Sequence, residues 1–201
     1  MMSSPVPPIV VAGHLAIDFV NSVATPHGER IDWLRDPGTG LDWFATLSVF
    51  PEPVLRKFER SVARGALEEA FSEARKFREW LRGKLPQAAH LRGSPQITER
   101  LNTILSRGSA FYSVVKSDGT SALHEYERLE NPDQLLVPIA KAIARLFTEE
   151  DLTRIRACAG VGCTLWFLDE TKPGRRRFCS PEVCGNRAKV AAFRNRQRDA
   201  D

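Results

Sequence analysis

The sequence predicts a mainly α-helical chain with one small β-hairpin, divided into a helical region over 1–150 and a compact cysteine-bearing module over 151–201. Three observations predict this. Apolar residues recur at helical spacing through most of the first 150 positions. The period shifts to two in one stretch, FYSVVK followed by ALHEYERL. All four cysteines lie late in the chain, two of them inside its most basic segment, RRRFCSPEVCGNRAKV.

After a proline-rich lead at 3–8, GLDWFATL (40–47) reads as a short helix. Over 51–63, Val54, Leu55, Phe58 and Val62 keep helical spacing. The clearest amphipathic pattern is Leu67, Ala70, Phe71, Ala74, Phe77, Trp80 and Leu81, ended by Gly83 and Pro86. Ser94-Pro95 supplies a cap and first-turn proline for a helix carrying Ile97, Leu101, Ile104 and Leu105. Alternation then takes over, with a turn expected around Asp118-Gly119. Asn131-Pro132 opens a helix with Leu135, Leu136, Ile139, Ile143, Leu146 and Phe147 on one side, and acidic 149–151 marks a boundary. These stripes are most economically core. There is no internal repeat.

Composition is that of a folded chain, 42% hydrophobic and 27% charged. No apolar run approaches the roughly 20 residues that cross a bilayer. The N-terminal segment lacks a basic n-region, so a reducing cytoplasm is the expected location, and there cysteines serve as metal ligands more readily than as disulfides. Residues 172–198 hold nine basic side chains against Glu182, a net +8, so the remainder of this +4 chain sums to −4. A basic end on an acidic body suits a polyanion-binding module.

The cysteines are spaced C-x4-C-x15-C-x4-C: Cys158, Cys163, Cys179 and Cys184. Two short-range pairs joined by such a spacer supply the tetrahedral sulfur shell of one structural zinc ion. Gly160 and Gly162 let the first loop fold tightly, LWFLDE offers a strand, and Lys172-Pro173-Gly174 a turn. Ser180 and Pro181 then start a helix, with Cys184 in its first turn. Knuckle, hairpin and ligand-bearing helix make a treble-clef-like zinc finger. Four thiolates fill the shell, which disfavours catalytic zinc. Along the terminal helix, Cys184, Ala188, Ala191 and Asn195 share the inward side, with Arg187 and Arg194 on one flank and Lys189 and Arg196 on the other. The expected nucleic-acid-binding set is Arg175, Arg176, Arg177, Asn186, Arg187, Lys189, Arg194 and Arg196, with Arg187 favoured for a base edge because it is nearest the metal. Cys184→Ser should abolish zinc binding while leaving the helical domain folded.

Cys184-Gly185-Asn186-Arg187, preceded by Phe178-Cys179-Ser180, resembles the CGNR zinc finger of bacterial proteins. Gly13-His14-Leu15-Ala16-Ile17-Asp18-Phe19-Val20-Asn21-Ser22 resembles the opening motif of the ABATE domain that precedes that finger. Phe178 keeps the family's aromatic before the third cysteine, and Ser22 stands where threonine is commoner. The resemblance implies a stress-related transcriptional regulator that uses the finger on DNA.

If 14–23 is helical, His14, Asp18 and Asn21 share a face that Thr25 continues; if it is a strand, Asp18 and Asn21 point apart. Such a polar stripe is either a buried capping network or the lining of a small-molecule effector pocket. The functional expectation is a zinc-dependent DNA-binding regulator, cytoplasmic and nucleoid-associated when bound, whose helical domain senses a ligand or forms a homodimer. The alternatives are an RNA-binding protein, with LWF and Phe178 as stacking surfaces, and a zinc-knot protein-interaction module. No enzyme motif appears among Gly-rich phosphate loops, H-E-x-x-H or G-x-S-x-G patterns, so catalysis is not expected.

Overall fold

The computed structural model describes residues 6–26, 28–117 and 119–198. Its first helix, α1 (Leu15–Val20), is one and a half turns long and almost wholly buried. His14 caps it, its Nδ1 accepting the Ala16 N–H at 3.2 Å, and Asn21 closes it. A two-residue pair, β1 (Val23–Ala24) with β2 (Ile31–Asp32), follows. Then comes α2 (Pro37–Thr46), where the Asp36 carboxylate accepts the Thr39 N–H at 2.9 Å and Pro37 occupies the first turn. Gly40 is required there, because a Cβ would stand 2.0 Å from the Phe71 ring.

Helix α3 (Glu52–Ser61) leads to the longest helix, α4 (Arg64–Lys84), which buries Leu67, Phe71, Ala74, Phe77 and Leu81 along one stripe. Phe19, Trp43, Phe44, Phe50 and Phe71 meet edge-on or tilted around this stripe. Helix α5 (Pro95–Leu105) starts at Ser94 as expected, but the cap is not the serine side chain; the Ser94 carbonyl accepts from Thr98 instead. The hairpin forms where alternation predicted it, β3 (Ala110–Ser117) with β4 (Thr120–Glu127). Asp118 of the expected turn lies outside the described residues, while Gly119 has φ +79°.

The Asn131-Pro132 segment begins as a tight 3-10 turn over Pro132–Leu136 and becomes α6 (Val137–Glu149) only then. The Gln134 side-chain Oε1 reaches back to accept from the Glu130 and Asn131 N–H groups, at 2.8 and 3.0 Å, a capping box that holds the start of this turn. Beyond a short turn at Leu152–Arg154 lie β5 (Ile155–Ala157), paired antiparallel with β6 (Trp166–Leu168), and finally α7 (Asn186–Arg198). Among the described residues no helix is long and apolar enough to cross a membrane.

Arg78 interrupts the core stripe of α4 and is 1% exposed. It grips Asp32 with two 2.8 Å bonds, reaches Ser22 at 3.1 Å and Glu79 at 2.9 Å, and so fixes β2 against α4. Burial pushes the Asp32 carboxyl up, but the Arg78 hydrogen bond and charge outweigh it and hold it below the usual carboxylate range. Beside it, Arg82 donates to the carbonyls of Val20 and Val23.

The boundary near residue 150 separates two sequence regions but not two cores. Leu165, Phe167, Leu168, Cys158, Cys179 and Cys184 belong to the same hydrophobic cluster as Ala12, Ala16, Ile17 and Phe19. The C-terminal module is seated on the N-terminal segment rather than trailing from it.

Candidate metal centre and nucleic-acid interface

Four local devices bring the cysteines together. The first knuckle turns at Gly160, whose carbonyl accepts the Cys163 N–H at 3.0 Å, and at Gly162 with φ +72°. Gly160 admits no side chain: a Cβ would lie 2.7 Å from the Cys184 sulfur. β5 and β6 set Cys158 beneath this loop, with its N–H bonded to Leu165 O. Ser180 caps the segment that carries Cys184, its Oγ accepting the Val183 N–H at 3.0 Å. That first turn is wider than a regular α-turn, because the N–H groups of Cys184 and Gly185 both reach Ser180 O, at 3.2 and 2.9 Å.

The result is that all four sulfurs lie within 4.8 Å of one another. A tetrahedron with Zn–S bonds of about 2.3 Å has edges of about 3.8 Å, so a small contraction closes the shell around one ion. Cys158, Cys179 and Cys184 are buried and Cys163 is half-buried, which keeps water from a fourth position. Zinc with four thiolates carries a net charge of about −2. The chain places donors against it: the N–H of Gly160 and of Cys179 on the Cys158 sulfur, at 3.4 and 3.2 Å, and the Arg187 Nη2 on the Cys184 sulfur, at 3.1 Å. The Cys179 thiol hydrogen-bonds to Cys163 and pulls its pKa down to about 5, against burial and with help from the Leu165 N–H. The same bond holds the proton on Cys179 and pushes that thiol up.

Beneath the centre, the buried Asp169 carboxylate organises the loop between β6 and the third cysteine. It accepts from Thr171 N and Oγ1 and from Arg176 N, with Arg156 at 3.7 Å. Burial pushes its pKa up, but these bonds outweigh it and keep the group below the usual carboxylate range.

The expected nucleic-acid set divides. Arg175, Arg177, Asn186, Lys189, Arg194 and Arg196 are exposed. Arg176 is not available and is a correction to the sequence reading: its guanidinium lies 4.3 Å from the Phe167 ring centre and donates to Val11 O, Phe178 O and Cys179 O. Arg187, favoured for a base edge, is committed in part. Its Nε donates to Val183 O at 2.8 Å and its Nη2 to Pro26 O at 2.6 Å, so it works as a strut between α7, the metal centre and the N-terminal segment. From Lys189 onward every described side chain of α7 is exposed, Ala191 included. The expected inward face therefore ends at Ala188, and Asn195 has no described side chain. Val190 and Phe193, 49% and 55% exposed, went unnoticed in the sequence, although their i, i+3 spacing was visible. The stacking surface imagined for RNA is also reduced, since Leu165 and Phe167 are fully buried.

His14, Asp18 and Asn21 do not share one pocket. α1 is too short to carry all three, and each is spent separately. His14 caps the helix. The Asp18 Oδ1 accepts the N–H groups of Val11 and Ala12, both at 3.2 Å. Asn21 pairs with the backbone of Trp166 on β6, donating to its carbonyl at 2.8 Å and accepting its N–H at 2.9 Å. A cleft of about 530 Å³ is lined by His14, Asp18, Ser48 and Arg176, without Asn21. Burial pushes the Asp18 pKa up to about 6 despite its two N–H partners, and burial pushes His14 down.

The seat continues on both sides of Asn21. Leu168 N donates to Ala12 O at 2.9 Å, Thr25 N to Thr164 Oγ1 at 2.9 Å, and Thr25 Oγ1 to Gly162 O at 3.0 Å. The opening motif is thus the surface on which the metal-binding module rests.

Two family models match the chain. The CGNR zinc finger model matches residues 154–197, and the ABATE model, described as "Putative stress-induced transcription regulator", matches residues 13–150. No curated protein matches the chain. The chain belongs to the ABATE family, and its four cysteines are those of a CGNR zinc finger.

Proposed function

We propose that this protein is a non-enzymatic, DNA-binding transcriptional regulator of the cytoplasm, in which the zinc-pinned module presents cations to the phosphate backbone. The observation that carries the reading is that Arg175, Arg177, Lys189, Arg194 and Arg196 are exposed and, among the described residues, form no ion pair with an acid. In the helical region, by contrast, exposed Arg35, Arg56, Arg64 and Arg128 each pair with an acid, as Arg56 does with Asp42 and Glu59. Unpaired cations on a rigid mount are poised to exchange counterions for phosphates. Zinc here is structural; its shell is filled by protein sulfur. The cleft beside Asp18 and Arg176 touches both the helical region and the finger's seat, which supports it as the place where a small effector would act on the finger.

The test is binding of zinc-loaded full-length protein to random duplex DNA, followed by anisotropy across a salt series. Five phosphate contacts give a log–log slope near −4.5, and Arg194→Ala reduces its magnitude by about 1. Absence of duplex binding at low salt overturns the reading; equal or tighter binding to single-stranded RNA moves it to that partner.

A further inference from the structure

We propose that the free edge of β3 joins two copies of this chain into a symmetric dimer. The hairpin runs in unbroken register from Ala110↔Glu127 to Ser117↔Thr120 and forms a sheet of its own. Lys141 of α6 ties its base through Glu125 and Glu127. Toward the tip it carries an apolar face out into solvent: Val114 and Leu123 are each 68% exposed and Tyr112 is 65% exposed. Two-stranded sheets of this kind are marginal in water until another strand or layer covers them.

The two edges are not alike. β4 carries His124, Glu125 and Glu127, whereas β3, AFYSVVKS, has a single charge at Lys116, no proline and no bulge. Charges, prolines and bulges are the usual guards of an edge strand, and β3 is nearly without them. Its alternate N–H and C=O groups face outward.

An antiparallel ladder is itself two-fold symmetric, so β3 can pair with its own copy. Centring the pair on Val114 places it opposite the partner's Val114. Because Val114 faces Leu123 within each hairpin, this makes one apolar row across four strands, Leu123–Val114 and the same two residues reversed. Two residues along, each Lys116 falls opposite the partner's Tyr112, one strand from the Glu125 that Tyr112 already holds at 3.2 Å. At about 4.8 Å per strand the two long side chains can meet, so charge also complements across the two-fold.

The test uses zinc-loaded full-length protein without nucleic acid, in sedimentation equilibrium from about 1 to about 100 micromolar, the range suited to a small interface. The wild-type chain dimerises in this range. Val114→Glu sets two carboxylates face to face and weakens association at least about 100-fold, and Val114→Lys does the same. An equimolar mixture of the two variants associates again, which a folding defect would not allow. A wild-type chain that stays monomeric, a Val114→Glu chain that dimerises as well as wild type, or a mixture that fails to associate each overturns the proposal. None of these outcomes depends on whether the finger binds DNA.

Discussion

Replacing Asn21 by alanine tests the seat directly. Asn21 is 1% exposed and makes a two-point bond to the Trp166 backbone, so the change strands one N–H and one C=O at the junction of α1 and β6. Each stranded backbone group costs about 1–3 kcal/mol when fully buried. Trp166 is only half-buried, which lets water recover part of this, so the expected loss is about 2–4 kcal/mol. Asn21→Asp should be worse at neutral pH, because it keeps the acceptor for Trp166 N–H but turns a carboxylate toward Trp166 O. Urea unfolding of the zinc-loaded chain gives the stability, and hydrogen exchange at the Trp166 amide gives the local effect. If Asn21→Ala unfolds within about 0.5 kcal/mol of wild type with Trp166 still protected, the opening motif does not hold the finger and the reasoning fails.

Two further perturbations bear on the same junction. Asp18 has its pKa raised from 3.8 to about 6, so the folded chain holds the proton that the unfolded chain gives up first. Stability from this group is therefore complete below pH 3.8 and falls as pH rises toward 6. Above that it stays constant at a cost of about 3 kcal/mol, from about 1.36 kcal/mol per pH unit. Asp18→Asn keeps an acceptor for Val11 and Ala12 and should be more stable than wild type at pH 7 by up to that amount, with the advantage vanishing near pH 4; unfolding curves that stay parallel across this range would contradict it. Removing zinc by chelation, or by Cys184→Ser, should loosen α1 as well as the finger. This departs from the expectation of an untouched helical domain, and undiminished exchange protection at Ile17 and Phe19 in the zinc-free chain would restore that expectation.

What could be read in advance was whatever leaves a local pattern. The stripe from Leu67 to Leu81, the alternation around Val114, the Ser180-Pro181 helix start and the C-x4-C pairs each report on a few neighbouring residues, and each formed. Arg78 went unread, although it falls on the buried stripe between Ala74 and Leu81, where a charge demands a partner. The partner, Asp32, is 46 residues away and leaves no mark beside it. Asn21 and Trp166 are 145 residues apart, and Arg176 and Val11 are 165 apart. Helical periodicity described the face on which Asn21 would stand, but α1 ends before reaching it. Charge counting likewise grouped Arg175, Arg176 and Arg177, although only the middle one turns inward onto Phe167.

The same long-range bonds explain why the basic helix needs the helical domain at all. Zinc fixes the four sulfurs relative to one another, yet it says nothing about where the finger points. That direction is set by β6, whose Trp166 and Leu168 backbone groups bond to Asn21 and Ala12, and by Arg176 and Arg187, which reach back to Val11 and Pro26. Arg187 bonds the Cys184 sulfur and the Pro26 carbonyl through one nitrogen, so metal, seat and helix start share a single side chain. The next exposed cation of α7 lies two residues later, at Lys189. A shift of the 11–26 segment would therefore move the cations of α7 as a unit, with no rearrangement at the metal. The link between the opening motif and the finger is thus geometric, and Asn21, Arg176 and Arg187 are the side chains through which it acts.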